Sequence, residues 1–299
     1  MHLRAIPRTG ELLPPIGLGT WQTFDVGASR AEREPLDDVL RTLLESTNAG
    51  RAAPPQAVRS VIESPANAGR AAPPQAVRSV IDSSPMYGRA EEVTGDELAK
   101  LGGTAFIATK VWTSGKQAGI DQMNRSLARL RGPIDLMQVH NLLDWQTHLP
   151  VLRDWKAAGT FRYLGVTHYQ HAQFGTIEKL MRSEQLDFIQ IPYSIVDRVA
   201  EARILPAARD TGTAVLVMTP FESGALFRQA RGTPLPSWAG ELGCTSWAQV
   251  FLKFILGHPA VTCPVPATSS AAHLADNLGA GDGPLPDEAL RATMAAALA

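Results

Sequence analysis

Short apolar or β-branched runs alternate with longer segments of helical periodicity along the whole chain, which is typical of repeated βα units around a parallel sheet. The eight predicted strands cover residues 16–20, 79–83, 105–110, 134–140, 161–166, 188–192, 214–219 and 261–266. The helical patterns between them cover residues 35–45, 91–101, 117–130, 149–158, 172–182, 199–211, 247–256 and 271–278, and a last helix covers 287–298. Eight such units in 299 residues predict an α/β protein, a single (β/α)8 barrel of the TIM type.

Residues 47–78 do not fit this alternation. The sequence of residues 48–62 recurs letter for letter as residues 67–81, and two copies rich in Ala, Pro, Arg and Gln offer little to bury. We predict a low-complexity insertion between the first helix and the second strand, either a tolerated surface duplication or a partner-binding or gating segment. Only the second copy is followed by Met86-Tyr87-Gly88 and a helical pattern, which places the second strand there.

Composition narrows the class of protein. The chain is 44% hydrophobic and 19% charged, and its net charge of -1 gives no field that would attract nucleic acid or an anionic membrane. No apolar run approaches the roughly 20 residues of a membrane span. Cys244 and Cys263 lack metal-ligand spacing, and residues 1–10 lack the apolar core of a signal peptide. We expect a cytoplasmic monomer or small homo-oligomer with a small-molecule substrate, no nucleic-acid or membrane partner and no metal.

Polar side chains stand at or just after the ends of three successive predicted strands. Asp82 and Tyr87 follow the second strand, Lys110 ends the third and His140 ends the fourth. Any one of them alone is most simply a cap, a packed ring, a snorkelling lysine or a core histidine. Together at one rim they predict an active site, because functional groups of this fold gather where the strands end.

The four groups suit the reduction of a carbonyl. Hydride delivery to the carbon builds negative charge on the oxygen, which requires a proton donor. Tyr87 is predicted as this acid, and the nearby cation of Lys110 is expected to lower the tyrosine pKa from its ordinary value of about 10. Asp82 would hold Lys110 in place, and His140 would donate a hydrogen bond to the carbonyl oxygen.

Outside the insertion, the chain resembles the aldo-keto reductase family along nearly its whole length. The matching segments are Gly17-Leu18-Gly19-Thr20-Trp21, Ile81-Asp82-Ser83-Ser84-Pro85-Met86-Tyr87-Gly88, Ala108-Thr109-Lys110-Val111, Asp135-Leu136-Met137-Gln138-Val139-His140-Asn141, Gly165-Val166-Thr167-His168-Tyr169, Gln190-Ile191-Pro192-Tyr193 and Pro264-Val265-Pro266 with Asn277. The order and spacing of the four polar groups match that family's catalytic tetrad. The resemblance implies an oxidoreductase that uses NADP(H), or alternatively NAD(H). A Rossmann reading of Gly17-Leu18-Gly19 fails, because Gln22 stands where the third glycine belongs.

The resemblance also implies a set of cofactor contacts, which are Thr20, Trp21, Thr167, His168, Gln190, Met218, Thr219, Pro220, Thr268, Ser269 and Asn277. Thr167, His168 and Gln190 would touch the nicotinamide carboxamide, and Met218 would lie on the ring. His168 stands where the family usually has asparagine, and Met218 where it usually has an aromatic residue. A methionine still covers a ring by dispersion, so these changes imply altered affinity and not its loss.

The additional phosphate of NADP is usually held in this family by basic side chains just after the eighth strand. Here the chain has no lysine or arginine between Lys253 and Arg291. Hydroxyls, His273 and the amides at a helix start would have to bind the phosphate, unless Arg228 or Arg231 folds across the cleft. We therefore expect only a small preference for NADPH over NADH.

The substrate itself is weakly encoded. Trp21, Trp112 and Trp145 follow the first, third and fourth strands and would wall an apolar pocket, and residues 220–245 form a long loop suited to cover cofactor or substrate. Two other functions stay open. One is a catalytically silent barrel that binds a nicotinamide nucleotide as a regulatory subunit, and the other is a metal-dependent hydrolase, which lacks further ligands at strand ends.

Overall fold

The structure, a computed structural model, describes residues 1–49 and 77–298. A short antiparallel hairpin of β1 (Arg4–Ala5) and β2 (Leu12–Leu13) comes first. A parallel sheet of eight strands in chain order follows within these residues: β3 (Leu18–Gly19), β4 (Val80–Asp82), β5 (Phe106–Val111), β6 (Leu136–Val139), β7 (Tyr163–Thr167), β8 (Phe188–Pro192), β9 (Ala214–Met218) and β10 (Cys263–Pro264). Each predicted strand is thus confirmed with small shifts at its ends.

The sheet closes on itself. A parallel bridge joins Gly19 of β3 to Ala267, just beyond β10. Two further hydrogen bonds complete the seam, since the Gly17 N–H donates to the Pro264 carbonyl (3.0 Å) and the Gly19 N–H to the Pro266 carbonyl (2.9 Å). A Cβ atom on Gly19 would lie 2.6 Å from a backbone oxygen, so glycine is required for this close approach. The (β/α)8 barrel predicted from the sequence is therefore confirmed.

Helices follow the strands around the outside of the barrel. Their bounds are α1 (Arg30–Ala49), α2 (Ala90–Leu101), α3 (Lys116–Leu130), α4 (Trp145–Ala157), α5 (Phe174–Glu184), α6 (Val199–Ala202), α7 (Ile204–Thr211), α8 (Ala225–Gln229), α9 (Ser237–Glu241), α10 (Trp247–Leu256), α11 (Ala271–Gly279) and α12 (Glu288–Ala296). The helix predicted at 199–211 divides at Arg203, where φ is -147° and ψ is -48°. No helix within the described residues is both long and apolar enough to cross a bilayer.

Residues 220–245 form more regular structure than the long loop predicted there. They include α8 and α9, and the Phe221 and Phe227 rings pack 4.8 Å apart. Phe227 also lies 5.8 Å from Phe251 of α10, and the Trp247 Nε1–H donates to the Thr233 carbonyl (2.9 Å). In this structure the segment packs on α10. The predicted insertion at 47–78 lies almost wholly outside the described residues.

Aromatic rings fill the lower half of the barrel. Phe106, Tyr163 and Phe188, on alternating interior positions of β5, β7 and β8, have centroids 5.5 to 6.0 Å apart. Below them Ile6 and Leu13 of the hairpin join the same interior cluster, so the N-terminal end of the barrel is closed. The interior is consequently a packed core, and in this fold the functional groups gather at the opposite end, where the strands finish.

Gly165 of β7 provides a test of this packing. It shares the interior face with Tyr163, and a Cβ atom there would lie 2.6 Å from the Phe188 carbonyl oxygen. We expect Gly165→Ala to lower the free energy of unfolding by about 1–3 kcal/mol because the backbone must shift. Gly175→Ala is the control, since nothing lies within 4 Å of its added methyl, and should be neutral or stabilising by up to about 1 kcal/mol. Denaturant unfolding measures both, and equal stability of the two variants would contradict this packing.

Candidate active site

A buried ion pair lies at the centre of the upper barrel. Asp82 is the last residue of β4, and Lys110 extends inward from β5. The Lys110 Nζ donates to both carboxylate oxygens of Asp82 (2.8 Å each) and to the Ser83 carbonyl (2.7 Å). Asp82 is 3% exposed and Lys110 1%, so water contributes almost nothing to either charge. Three acceptors use all three ammonium protons, which satisfies the buried lysine.

Lys110 remains cationic despite its burial. Burial alone would lower its pKa, but the Asp82 carboxylate and Tyr87 outweigh it, and the net pKa of Lys110 is raised. The amide of Gln190, on β8, donates to Asp82 Oδ2 at 2.9 Å. Gln190, predicted as a carboxamide contact, is thus also a partner of Asp82, which the sequence did not indicate. Its Oε1 atom is buried and has no partner within the described residues.

Tyr87 lies beside the ion pair in the turn between β4 and α2. The Lys110 Nζ lies 5.2 Å from the centre of its ring. Burial raises the pKa of Tyr87 more than the Lys110 cation lowers it, and the Asp82 charge adds to the rise. The predicted net lowering of the Tyr87 pKa is therefore wrong in sign. The reason is desolvation of the phenolate, which depends on the folded surroundings and cannot be read from spacing.

His140 directly follows β6, where the backbone leaves the barrel. Its Nδ1 lies 3.0 Å from the Ser84 Oγ, and its ring meets the Tyr87 ring edge-on at 6.0 Å and 85°. Burial first, with smaller contributions from Lys110 and His168, lowers the pKa of His140 to about 3. At neutral pH the imidazole is uncharged, so it can orient a carbonyl only as a neutral donor.

The chain after His140 is conformationally strained. Asn141 and Leu142 have φ angles of 52° and 54°, a region that a branched residue such as leucine rarely adopts. The Asn141 N–H donates to the Thr167 Oγ1 at 3.2 Å, which anchors the strained turn to β7. Such backbone outliers persist where the surroundings over-determine them, and they cluster at functional sites.

Thr167, His168 and Gln190 meet at the ends of β7 and β8. Thr167 pairs with Gln190 in the sheet register, and the His168 N–H donates to the Gln190 carbonyl at 3.2 Å. The His168 Nδ1 accepts the Gln170 N–H (3.0 Å), so in the neutral ring the proton lies on Nε2. Burial lowers the pKa of His168, which keeps the ring in this neutral form. His168 thus presents a hydrogen-bond donor at the end of β7.

The other predicted cofactor contacts differ in their burial and in the element that carries them. The Thr20 hydroxyl is buried and lies within hydrogen-bond distance of the Asp82 carbonyl, to which it donates (3.1 Å), and of the Ser83 Oγ (3.0 Å), so it is held at the end of β4. Trp21 is 44% exposed at the rim. Met218, Thr219 and Pro220 follow one another at the end of β9, and Asn277 is buried on α11.

Carboxylates lie near the start of α11, which the sequence did not indicate. The segment that holds Thr268 and Ser269 leads into α11, where the Ser270 Oγ caps the helix by accepting the His273 N–H at 3.3 Å. One groove is lined by residues 269–271 together with Glu34 and Asp38 of α1. These two acids are far from α11 in the sequence, so only the packing of α1 on α11 brings them there.

Apolar side chains surround the site. Trp112, the predicted wall of the substrate pocket, is 40% exposed and lies 6.4 Å from the His140 ring, while Trp145 is half-buried at the start of α4. Met86 is also exposed at this end of the barrel. Across residues 1–49 and 77–298, no three histidine, cysteine or acidic side chains are grouped so that they could hold a metal ion.

A profile of the aldo/keto reductase family matches residues 63–297. The chain belongs to the aldo/keto reductase family. It is 32% identical over 116 residues to the NADH-specific methylglyoxal reductase of Escherichia coli (strain K12), a match that covers 36% of this chain and 34% of that protein. It is 27% identical over 200 residues to the uncharacterized oxidoreductase YrpG of Bacillus subtilis (strain 168), covering 56% of this chain and 59% of that protein. The chain therefore spans between a third and three fifths of these curated relatives.

Solved structures of aldo/keto reductases share the fold along the whole chain. The enzyme from Klebsiella pneumoniae in complex with NADP and acetate has a TM-score of 0.75 at 21% identity, covering 100% of this chain and 96% of that one. The holo form of the aldo-keto reductase AKR11C1 from Bacillus halodurans has a TM-score of 0.71 at 20% identity with the same coverage. At this level of identity the comparison establishes the barrel and leaves the side-chain roles to local geometry.

In this aldo/keto reductase family member, burial raises the pKa of Tyr87 and the Lys110 cation lowers it, so removing the cation should have a measurable effect on that pKa. Lys110→Met removes the cation that lowers the Tyr87 pKa, so the pKa should rise further above its ordinary value. Lys110→Arg keeps the positive charge and should change the Tyr87 pKa less. The measurement is a pH titration of the tyrosine ring carbons by NMR, assigned with Tyr87→Phe. A Tyr87 pKa that falls in a folded Lys110→Met variant would show that Lys110 does not act through its charge.

Proposed function

We propose that the protein is an oxidoreductase that reduces a small aldehyde or ketone to an alcohol with a nicotinamide cofactor, Tyr87 being the general acid. The observation that carries this proposal is the placement of Tyr87 and His140 around the buried Lys110–Asp82 pair at the C-terminal end of the barrel. We take residues 1–299 as one catalytic barrel, in which the insertion at 47–78 has no part in the chemistry.

Each of the four groups has a role that follows from its surroundings. Like an ordinary tyrosine, Tyr87 carries its proton at neutral pH, and because burial raises its pKa it gives that proton to the carbonyl oxygen only as negative charge develops there. Lys110 stabilises the phenolate left behind, and Asp82 keeps Lys110 cationic and in place. Neutral His140 donates a hydrogen bond that orients the carbonyl beside the acid.

The residues at the ends of β7 and β8 fit a nicotinamide. The unpartnered Oε1 of Gln190 is an acceptor, and the Nε2 of His168 is a donor, which together match the amino group and the oxygen of a carboxamide. Met218 offers a polarisable surface for the ring. When bound, the reduced nicotinamide supplies the hydride. The apolar rim with Trp21 and Trp112 favours a carbonyl substrate with apolar substituents.

Replacing Tyr87 by phenylalanine tests the assignment of the acid. We expect Tyr87→Phe to reduce the rate of carbonyl reduction by about 100- to 10,000-fold or more, with nucleotide affinity nearly unchanged, because only the proton donor is lost. Tyr169→Phe is the matched control, since it removes an exposed hydroxyl and keeps the ring that stacks on His168. An aldehyde panel followed by nucleotide oxidation measures the rates. If Tyr87→Phe keeps more than half the activity, the assignment of Tyr87 as the acid is wrong. If the natural protein binds the nucleotide but reduces no carbonyl compound, the alternative of a catalytically silent regulatory barrel is favoured.

The groove beside α11 suggests how the two nucleotides are distinguished. A phosphate bound at residues 269–271 would meet the carboxylates of Glu34 and Asp38 and no lysine or arginine from residues 254–290. We propose a preference for NADPH over NADH of about tenfold or less, equivalent to at most about 1.4 kcal/mol. The Escherichia coli relative is NADH-specific by name, which is consistent with weak use of the phosphate.

Paired titrations of NADPH and NADH at low and moderate salt measure this preference. Glu34→Gln combined with Asp38→Asn should tighten NADPH binding several-fold, most clearly at low salt, and leave NADH binding unchanged. NADH thus serves as the internal control for damage to the fold. A preference above a hundredfold for NADPH that disappears in Arg228→Ala with Arg231→Ala would show instead that the exposed arginines of residues 220–245 hold the phosphate.

A further inference from the structure

Ser84 is a buried hydroxyl that the roles assigned so far do not use. It follows β4 by two residues and is fully buried. Its Oγ lies 3.0 Å from the His140 Nδ1 and accepts the Met86 N–H at 3.3 Å. No other partner of this hydroxyl occurs within residues 1–49 and 77–298. Ser84 therefore connects the turn that carries Tyr87 to the histidine across the site.

The protons available to Ser84 and His140 decide which of them donates in this hydrogen bond. A serine hydroxyl has one proton to donate and two lone pairs with which to accept. If the His140 Nδ1 carried a proton, Ser84 would receive both that proton and the Met86 N–H, and its own buried proton would have no acceptor among the described residues. A buried polar group without a partner costs about 1–3 kcal/mol. With Ser84 as donor to Nδ1 and acceptor from Met86, every one of these groups is satisfied.

The direction of this bond determines the tautomer of the imidazole. An Nδ1 that accepts from Ser84 has no proton, so in the neutral ring the proton lies on Nε2. The Nε2 atom forms no hydrogen bond within the part of the chain that the structure describes and is not among its buried unpartnered atoms, so it is open to the cleft. Only the Nε2–H form can donate from that nitrogen to a carbonyl oxygen.

We infer that Ser84 is a positioning residue that fixes His140 in the Nε2–H tautomer, so that the imidazole donates to the substrate oxygen. The catalytic consequence rests on the proposed function, whereas the tautomer does not. The interaction also fixes the ring plane, which meets Tyr87 edge-on. Ser84 thus acts through His140, and a loss of its hydroxyl should affect orientation of the carbonyl more than binding of the nucleotide.

The direct test is the imidazole nitrogen NMR spectrum of histidine-labelled protein, assigned with His140→Ala. In the natural protein we expect an unprotonated Nδ1 and a protonated Nε2 for His140. Ser84→Ala should give a mixture of tautomers and lower kcat by about tenfold, less than the roughly 100- to 1,000-fold loss typical when a whole oxyanion donor is removed. Nucleotide affinity should not change. Ser84→Thr keeps the hydroxyl and should restore the Nε2–H form.

The matched control is Ser79→Ala. Ser79 is also fully buried beside β4, but its hydroxyl donates to the Leu43 carbonyl at the opposite end of the strand. The Ser79→Ala substitution should lower the free energy of unfolding about as much as Ser84→Ala does, and it should leave the His140 NMR signals and kcat unchanged. A protonated Nδ1 in the natural protein would overturn the inference, as would a Ser84→Ala variant that keeps both the Nε2–H form and full kcat. If no carbonyl compound is reduced by the natural protein, the proposed function fails, while the spectrum still decides the tautomer.

Discussion

The Lys110–Asp82 ion pair is the constraint on which the rest of the upper barrel depends. A buried charge pair is costly to desolvate and is tolerated only when its remaining hydrogen-bonding capacity is met. Here Ser83 and Gln190 meet it, and they come from opposite sides of the barrel. Burial is the largest effect on the pKa of both His140 and Tyr87, and the cation lowers the pKa of His140 further and partly offsets the rise in the pKa of Tyr87. Removing one charge would leave the other unpaired in a nearly dry interior.

The aromatic layer below makes this arrangement possible. Phe106, Tyr163 and Phe188 fill the barrel below the ion pair, where Asp82 and Lys110 are almost fully buried. In such surroundings electrostatic interactions are stronger than at the surface, so the Lys110 cation partly offsets the effect of burial on the nearby phenol. The same dryness raises the Tyr87 pKa above its ordinary value, which is why charge proximity alone predicted the wrong sign.

The sequence was sufficient for features that repeat or that follow one another in the chain. Alternating βα patterns located the barrel strands, and the polar residues at their ends located Asp82, Tyr87, Lys110 and His140. It was insufficient where structure arises from closure of the barrel. The bond from Gln190 to Asp82 joins β8 to β4, and no local pattern encodes such a distance. The hairpin strands of two residues and the five-residue helices α8 and α9 are too short to show a period. The position of Glu34 and Asp38 beside α11 likewise depends on the packing of α1 against α11, which the sequence does not show.

The Gln190 amide would link the binding of a ligand to the stability of the barrel. One end of its amide is bonded to Asp82, and the other end is a buried acceptor with no partner in the described residues. A ligand that donates to this acceptor would relieve a desolvation cost already present in the free protein. It would also polarise the amide and strengthen the hydrogen bond to Asp82, since linked hydrogen bonds reinforce one another. By linkage, a protein loaded with such a ligand would resist unfolding more than the empty one, and the extra stability would be concentrated in the strands that hold the buried charges.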